Sequence, residues 1–486
     1  MEPTILERSE HPVSRKHISE NALRVLYRLN ERGYKAYLAG GCVRDLLLGR
    51  EPKDFDVATD ATPQQVKRCF RNCRLIGRRF RLAHVIFNDE VIEVATFRAP
   101  TPVEEEPDDE NERPGDEEMD NHEDVGNETP EDESDETDSV VEELPPEEEE
   151  GDEDAPVEIP EEAPKSNTAV KAHPDRVVDE SGVVIRDNVF GSPEEDAFRR
   201  DFTINALFYN IDDFSIIDYV GGLVDVEKRI VRAIGDPDQR YQEDPVRMIR
   251  ALRFASTLHL DIEDECYQAI LRQREQMTHA SHARMFEEIL KFFNCGAMCA
   301  AFNKWEETGL LDVMFPGLAP WWREKATEDQ KHWQYMAFEQ MDKWKKLGIK
   351  ASPELSYSFF LAPFIFGTRD ELLDQGQSPH DALVHACQQV QQVLAERILI
   401  PKRVLFKIYD ILKSQRNFEN RRNAKQIQAF VRRHYFRDAL VFYKFDLFVK
   451  GENRNKLLAA WQRDFELAPE PEPEPRRPRR RPRRRR

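Results

Sequence analysis

The chain has 486 residues, room for about two to four domains that each bury a core. No stretch approaches the roughly 18 uninterrupted apolar residues of a membrane span, and MEPTILERSEHPVSRK lacks the apolar core of a secretory signal. The net charge of −22 does not exclude nucleic acid: residues 101–167 hold 32 acids and 2 bases, a net of −30, and the remainder is +8. The seven scattered cysteines show no CxxC and no His/Cys cluster at zinc spacing, which fits reduced thiols in a cytoplasm.

In chain order, Ser14 to Gly33 reads as an amphipathic helix, with Ile18, Ala22, Val25, Leu26 and Leu29 at three- and four-residue steps. Tyr34 to Ala39 reads as a short strand, followed by a glycine turn and a helix through Val43 to Leu48. Lys53 to Ala58 is expected as a second strand, and Pro63 opens a helix from Gln64 to Phe70. His84 to Phe87 and Val91 to Phe97 read as a strand pair joined at Asn88-Asp89. From Pro100 to Pro164 apolar residues are too sparse to offset chain entropy, so disorder is expected there. Asp201 to Asp218 resumes with a helix leading into a strand, which makes the acidic run an insertion within one domain. Beyond Asp244 the pattern is helical, and PEPEPEP with nine arginines in Arg476–Arg486 ends the chain as an extended tail.

Chemistry concentrates in a few motifs. Asp54 and Asp56, two apart on the expected strand, point to one face and can share a divalent cation; alone, such a pair also fits a polar strand end. Gly40-Gly41 and Arg44, just upstream, suit a triphosphate: backbone N–H groups approach it and a guanidinium adds positive field. Glu93 is a possible third carboxylate, or a solvent-facing one. In Arg199-Arg200-Asp201-Phe202-Thr203-Ile204-Asn205 two arginines stand beside an acid and an amide that share a helical face; a capped surface helix is the plainer reading. Asp244, Arg247, Arg250 and Arg253 follow three-residue steps, so donors and acceptors can meet a nucleobase edge, as can a plain salt-bridged helix.

Together, LAGGCVRDLLLGREPKDFDVATDATPQQV, RRDFTINAL, DYVGGLVDVEKRIVRAIGDP and YQEDPVRMIRALRFA resemble the motifs of the class II nucleotidyltransferases of the polymerase-beta superfamily, the bacterial poly(A) polymerases and CCA-adding enzymes. The resemblance covers roughly residues 10 to 320 apart from the acidic insertion, and it weakens over Trp321 to Asp374. It implies an α+β head with a small mixed sheet, followed by all-α neck, body and tail. On this reading residues 1–33 are an N-terminal extension and helix, 34–235 the head interrupted at 101–167, and 236–320 the neck and start of the body. Residues 321–466 are the RNA-binding body and tail, and 467–486 a disordered Pro/Glu then Arg-rich end. The resemblance assigns Asp54, Asp56 and Asp201 to catalysis and the metal (Mg²⁺ or Mn²⁺) to Asp54 and Asp56. It assigns Gly41, Arg44, Arg199, Arg200, Asp244, Arg247, Arg250 and Arg253 to the nucleotide, to which the residue pattern adds Gly40 and Asn205.

Three features resemble the poly(A) branch: Leu75 to Val85 with Gly77-Arg78-Arg79-Phe80, the N-terminal HPVSRKHISENAL, and the Arg/Pro tail. The implied reaction is transfer of AMP from ATP to RNA 3′ ends without a template, in RNA processing and decay, by a cytoplasmic, non-membrane monomer. A CCA-adding enzyme is the nearest rival. A non-catalytic RNA-binding protein is the rival of another class.

Overall fold

The computed structural model describes residues 2–77, 81–99, 176–178, 184–187, 190–421 and 423–468, which belong to one compact unit. Arg78-Arg79-Phe80, the acidic run 101–167 and the arginine-rich end lie outside the described residues.

The strands are β1 (Thr4–Leu6), β2 (Ala36–Ala39), β3 (Val57–Thr59), β4 (Cys73–Ile76), β5 (Leu82–Ile86), β6 (Val91–Thr96), β7 (Arg176–Val178), β8 (Val184–Asp187), β9 (Leu207–Asn210) and β10 (Ile216–Asp218). Eight of them form a mixed sheet in the order β1-β10-β9-β2-β3-β6-β5-β4, with β3 and β6 parallel and the other pairs antiparallel. β7 and β8 pair separately. The sheet is larger than the sequence suggests, because β1 and β4 are short edge strands with little alternation to announce them. β1 pairs with β10, so residues 4–6 are part of the head rather than an extension from it.

The head helices are α1 (Glu20–Glu31), α2 (Gly41–Leu47), α3 (Pro63–Cys69), α4 (Pro193–Phe198) and α5 (Gly222–Lys228). α1 buries Ala22, Val25, Leu26 and Leu29 completely, the stripe its spacing predicts. It starts at Glu20 and not at Ser14, because the Ser19 hydroxyl accepts the Asn21 and Ala22 N–H groups as an N-cap. Arg15–His17 ahead of it make a single 3₁₀ turn.

Two elements differ where the site is built. The strand expected from Lys53 begins at Val57, so Asp54 and Asp56 precede it in extended chain. They keep the strand's alternation, with Phe55 buried between two exposed acids, and the Asp56 carbonyl accepts the Ala39 N–H at 3.0 Å. The helix expected after Asp201 is a 3₁₀ turn, Thr203–Asn205. Side chains compete with helical bonding here: the Asp201 carboxylate accepts the Phe202 N–H at 2.9 Å, and the Thr203 hydroxyl donates to Asp225 at 2.6 Å.

Gly222 lets α5 press against this turn, since a Cβ on it would stand 2.2 Å from the Thr203 carbonyl oxygen. The Asp218 carboxylate fixes the approach by accepting the N–H groups of Val220, Gly221 and Leu223 at 2.9–3.0 Å.

A two-stranded parallel pair, β11 (Ile230–Val231) with β12 (Asp261–Ile262), joins the head to the helices α6 (Pro237–Glu243), α7 (Val246–Leu258), α8 (Asp264–Gln273) and α9 (His282–Phe293). The rest is helical as expected: α10 (Met298–Glu307), α11 (Leu310–Met314), α12 (Leu318–Glu324), α13 (Glu328–Lys346), α14 (Pro353–Asp374), α15 (Pro379–Ala395), α16 (Lys402–Glu419), α17 (Ala424–Val431), α18 (Phe436–Val449) and α19 (Asn455–Glu466). Interlocked aromatic rings hold these helices. Phe359 packs on Trp333, Phe442 and Phe445, and Phe418 packs on Phe430, Phe436, Tyr443 and Trp461. No helix among the described residues is long and apolar enough to cross a membrane.

Gly222→Ala is expected to destabilise the protein by about 1–3 kcal/mol, because backbone cannot yield cheaply to the added methyl. Urea unfolding followed by circular dichroism checks this, and an unchanged midpoint refutes the packing described for α5.

Candidate active site

The cleft begins at the end of β2. Gly40 has φ +79°, a conformation that favours glycine, and a Cβ there would meet the Arg200 guanidinium at 2.8 Å. This turn starts α2, whose Arg44 side chain is buried. Parallel pairing of β3 with β6 sets Val57 opposite Val94, and one step back the same register brings Asp56 beside Glu93. Although its side chain reaches solvent, loss of solvation in the cleft, then Glu93 and then Asp54 push the Asp56 carboxyl up to about 6, with Arg200 opposing. Asp54, with a side chain 74% exposed, stands 3.5 Å from Lys53. Glu93 lies 3.4 Å from His84 on the neighbouring strand.

A chain of polar contacts runs from the glycine turn into the helices. Arg44 holds Asp45 at 2.8 Å and donates to the Asn205 side-chain oxygen. Asn205 Nδ2 donates to Asp201 Oδ1 at 3.0 Å, while Arg200 Nη1 donates to the Asn205 carbonyl at 3.0 Å and pairs with Asp196. Asp201 Oδ2 accepts from Nε and Nη2 of Arg250 on α7, at 2.8 and 2.5 Å. Burial would raise the Asp201 carboxyl, but Arg250 and the hydrogen bonds outweigh it and hold the group down at about 2. Asp201 and Asn205 therefore meet as predicted, although not on an α-helix.

Asp56, Arg200, Asp201, Asn205, Arg247 and Arg250 line one cleft of about 410 Å³ with Gly40, Gly41 and Arg44. Asp244 lines it too, but at the C-terminal end of α6 and not on the arginine helix. Both its oxygens are taken by Arg284, at 2.9 and 2.8 Å, so it pairs with a residue of α9 and not with the arginines expected to share its helix face. Arg199 and Arg253 are not among the lining residues. Arg253 packs over Phe254 at 4.4 Å and faces Glu288 at 3.7 Å, and the Arg199 carbonyl accepts from Arg240 at 3.0 Å.

Sequence reasoning missed Phe254, Arg284 and Glu288. Phe254 offers its ring to Arg44, Arg250 and Arg253 at 4.4–5.4 Å. Glu288, buried on α9, approaches Arg250 at 3.6 Å. Phe254 follows the arginine run directly, so its helical position was a usable signal; Arg284 and Glu288 are distant in sequence and gave none.

Solved structures share this architecture. The crystal structure of the Bacillus stearothermophilus CCA-adding enzyme in complex with CTP aligns with 92% of this chain and 81% of its own, at TM-score 0.53 and 23% identity. A tRNA nucleotidyltransferase complexed with a primer tRNA and an incoming ATP analogue aligns with 91% and 99%, at 0.51 and 17%. Such identities speak for the fold alone, and the fold is that of a nucleotidyltransferase.

Family models sharpen this. "Poly A polymerase head domain" matches residues 36–138 and 146–232, "Probable RNA and SrmB- binding site of polymerase A" matches 259–321, and "Polymerase A arginine-rich C-terminus" matches 375–486. Poly(A) polymerase I of Salmonella typhimurium is 37% identical over 96% of this chain and 87% of its own length. That of Haemophilus influenzae is 34% identical over 84% and 76%. A CCA-adding enzyme of Lactobacillus johnsonii is 31% identical over only 61% and 55%. The chain belongs to the poly(A) polymerase I family.

Asp201→Asn leaves Arg250 without its counter-charge and is expected to cost about 3 kcal/mol of stability. Because the Asp201 carboxyl is depressed, its contribution is complete above pH ~4 and is lost as pH falls toward 2. Unfolding measured from pH 6 to 3 should show the variant's deficit shrinking with acid, and a deficit independent of pH contradicts the ion pair.

Proposed function

We propose that this chain is a template-independent polynucleotide adenylyltransferase that extends RNA 3′ ends with AMP from ATP. Likeness to poly(A) polymerase I along 96% of the chain carries the reading, because it continues through the helical half, whereas likeness to the CCA-adding enzyme covers 61%. The oxygen of the RNA 3′-hydroxyl attacks the α-phosphorus of ATP. The new O3′–P bond forms as the bond to the β-phosphate oxygen breaks, the hydroxyl proton passes to solvent, and pyrophosphate leaves.

In this reading the Gly40-Gly41 backbone, Arg44 and Arg200 receive the triphosphate, and Arg247 and Arg250 face the nucleoside. Asp201 is a positioning residue that orients Arg250 and Asn205. Asp54 and Asp56 hold Mg²⁺ or Mn²⁺, with Glu93 as an outer carboxylate. The fit is good for a hard cation: the Asp56 carboxyl is crowded by like charges that a cation relieves. Two carboxylates are a donor set that Mg²⁺ takes together with phosphate oxygens and water, so Asp54 and Asp56 would hold it alongside the substrate. When bound, the ions supply Lewis-acid stabilisation of the attacking and leaving oxygens. The seven free cysteines accord with action in the cytoplasm, and we propose a monomer.

Incubation of the full chain with an unstructured RNA and ATP should give long A-tracts, and with CTP alone almost no extension. CTP incorporation followed by arrest after one A instead identifies a CCA-adding enzyme. Asp54→Ala with Asp56→Ala should reduce extension at least a thousandfold with RNA affinity retained; full activity assigns the chemistry elsewhere.

Because the Asp56 carboxyl is raised, protons compete with the cation below pH ~6. Apparent Mg²⁺ affinity should fall as pH drops through that value, by up to tenfold per unit for one displaced proton. Glu93→Gln should move the midpoint lower by removing a like charge. An unshifted midpoint in calorimetric titrations excludes Glu93 from the cluster.

A further inference from the structure

A larger cleft, of about 600 Å³, opens beside α1 in the head and shares no lining residue with the catalytic one. Asn21, Arg24 and Arg28 line it. At steps of three and four they share one face of α1, so the cleft follows that helix for about 10 Å. Phe70 and Arg71, which follow α3, and the turn Phe87-Asn88-Asp89 between β5 and β6 line the rest of its length.

The two ends differ in charge. At one, the Arg28 guanidinium lies over the Phe70 ring at 5.5 Å, and Arg71 is the next residue in the chain. Arg28 and Arg71 are exposed, and among the described residues neither has a carboxylate within ion-pair distance. The same holds for Lys67 and Arg68, exposed in the last turn of α3. Arg24, part-way along, has only Glu20 at 3.8 Å, and both side chains stand in solvent. At the other end the buried Asn21 anchors the turn, donating to Asp89 at 3.3 Å and to Glu90 at 3.0 Å. Glu90 also accepts from the Ser19 hydroxyl. Asp89 keeps its second oxygen without a partner among the described residues, and Asn88 and the half-buried Phe87 line the cleft next to it.

A ligand that fits carries its negative charge at one end and hydrogen-bond donors at the other. A nucleic-acid strand or an acidic peptide is charged along its whole length and would set an anion against Asp89. A nucleoside polyphosphate is charged at one end only, where guanidiniums take phosphate oxygens. The acid narrows the choice of base. A carboxylate only accepts, and guanine alone among the common bases offers two adjacent N–H donors, N1–H and N2–H₂, on its pairing edge. We infer that this cleft is a second, non-catalytic nucleotide site for a guanosine polyphosphate, with its phosphates on Arg24, Arg28 and Arg71 and its guanine edge on Asp89.

The test is calorimetric titration of GDP and ADP into the full chain, with a non-hydrolysable ATP analogue present to saturation so that the catalytic cleft is filled. One GDP should bind per chain, and ADP about tenfold more weakly. Arg28→Ala with Arg71→Ala should weaken GDP by at least about tenfold and leave the affinity for the analogue unchanged. Asp89→Asn replaces an acceptor by a donor, so it should lose GDP and gain xanthosine diphosphate, whose pairing edge offers one N–H and one carbonyl. A merely structural role for Asp89 would not reverse that order. Absence of GDP binding once the catalytic cleft is filled overturns the proposal. So does equal affinity for GDP, ADP and pyrophosphate, which marks a plain anion site, or displacement of GDP by an unstructured RNA, which gives the cleft to a strand.

Discussion

The polar network that runs through the cleft depends on the ion pair between Asp201 and Arg250. One partner follows an arginine pair at the edge of the sheet domain and the other sits mid-way along α7, so their bond ties two parts of the chain that only folding brings together. On one side Asp201 reaches Asn205, Arg44 and the glycine turn; on the other Arg250 reaches Glu288 on α9. A half-buried charged pair is an expensive way to join two elements, because desolvation offsets much of the attraction. What it provides is geometry: a carboxylate with four N–H donors from three residues has one orientation, and it fixes the Arg250 guanidinium that lines the cleft.

The two carboxylates at the centre of the site are thereby kept electrostatically distinct. Asp201, saturated with donors, is held down at about 2 and stays charged; Asp56, desolvated in the cleft and then crowded by Glu93 and Asp54, is raised to about 6. The first acts as a fixed strut. The second, on the function proposed above, would be relieved of its neighbours' like charge by a bound cation. Arg44 and Arg200 keep internal partners even as they line the cleft, so both guanidiniums are held in place there.

Much of this was legible from residue order alone. The α1 stripe, the glycine turn, the β5–β6 pair and the helical half follow from periodicity and turn chemistry, and most of the motif residues from Gly40 to Arg250 line one cleft, whereas Asp54, Glu93 and Arg199 do not. What the chain order hid was set by tertiary contacts. Asp54 and Asp56 precede β3 because the ladder with β6 forms from Val57, yet alternation survives into the extended approach and keeps both acids on one face. Asp201 and Asn205 meet through a 3₁₀ turn, since side chains took the hydrogen bonds a helix would need. Asp244 seemed to share a helix face with Arg250, but Pro245 separates α6 from α7 and Arg284, forty residues on, claims both oxygens. No local pattern announces such a partner.

On the function proposed above, the Asp201–Arg250 bond is a condition for nucleotide binding and not for RNA binding. The direct measurement is calorimetric titration of a non-hydrolysable ATP analogue into wild type and Asp201→Asn, at a temperature where both are folded, with RNA affinity determined in parallel. Loss of at least tenfold in analogue affinity with RNA affinity unchanged is the predicted result. Equal analogue affinity in the two proteins would contradict it.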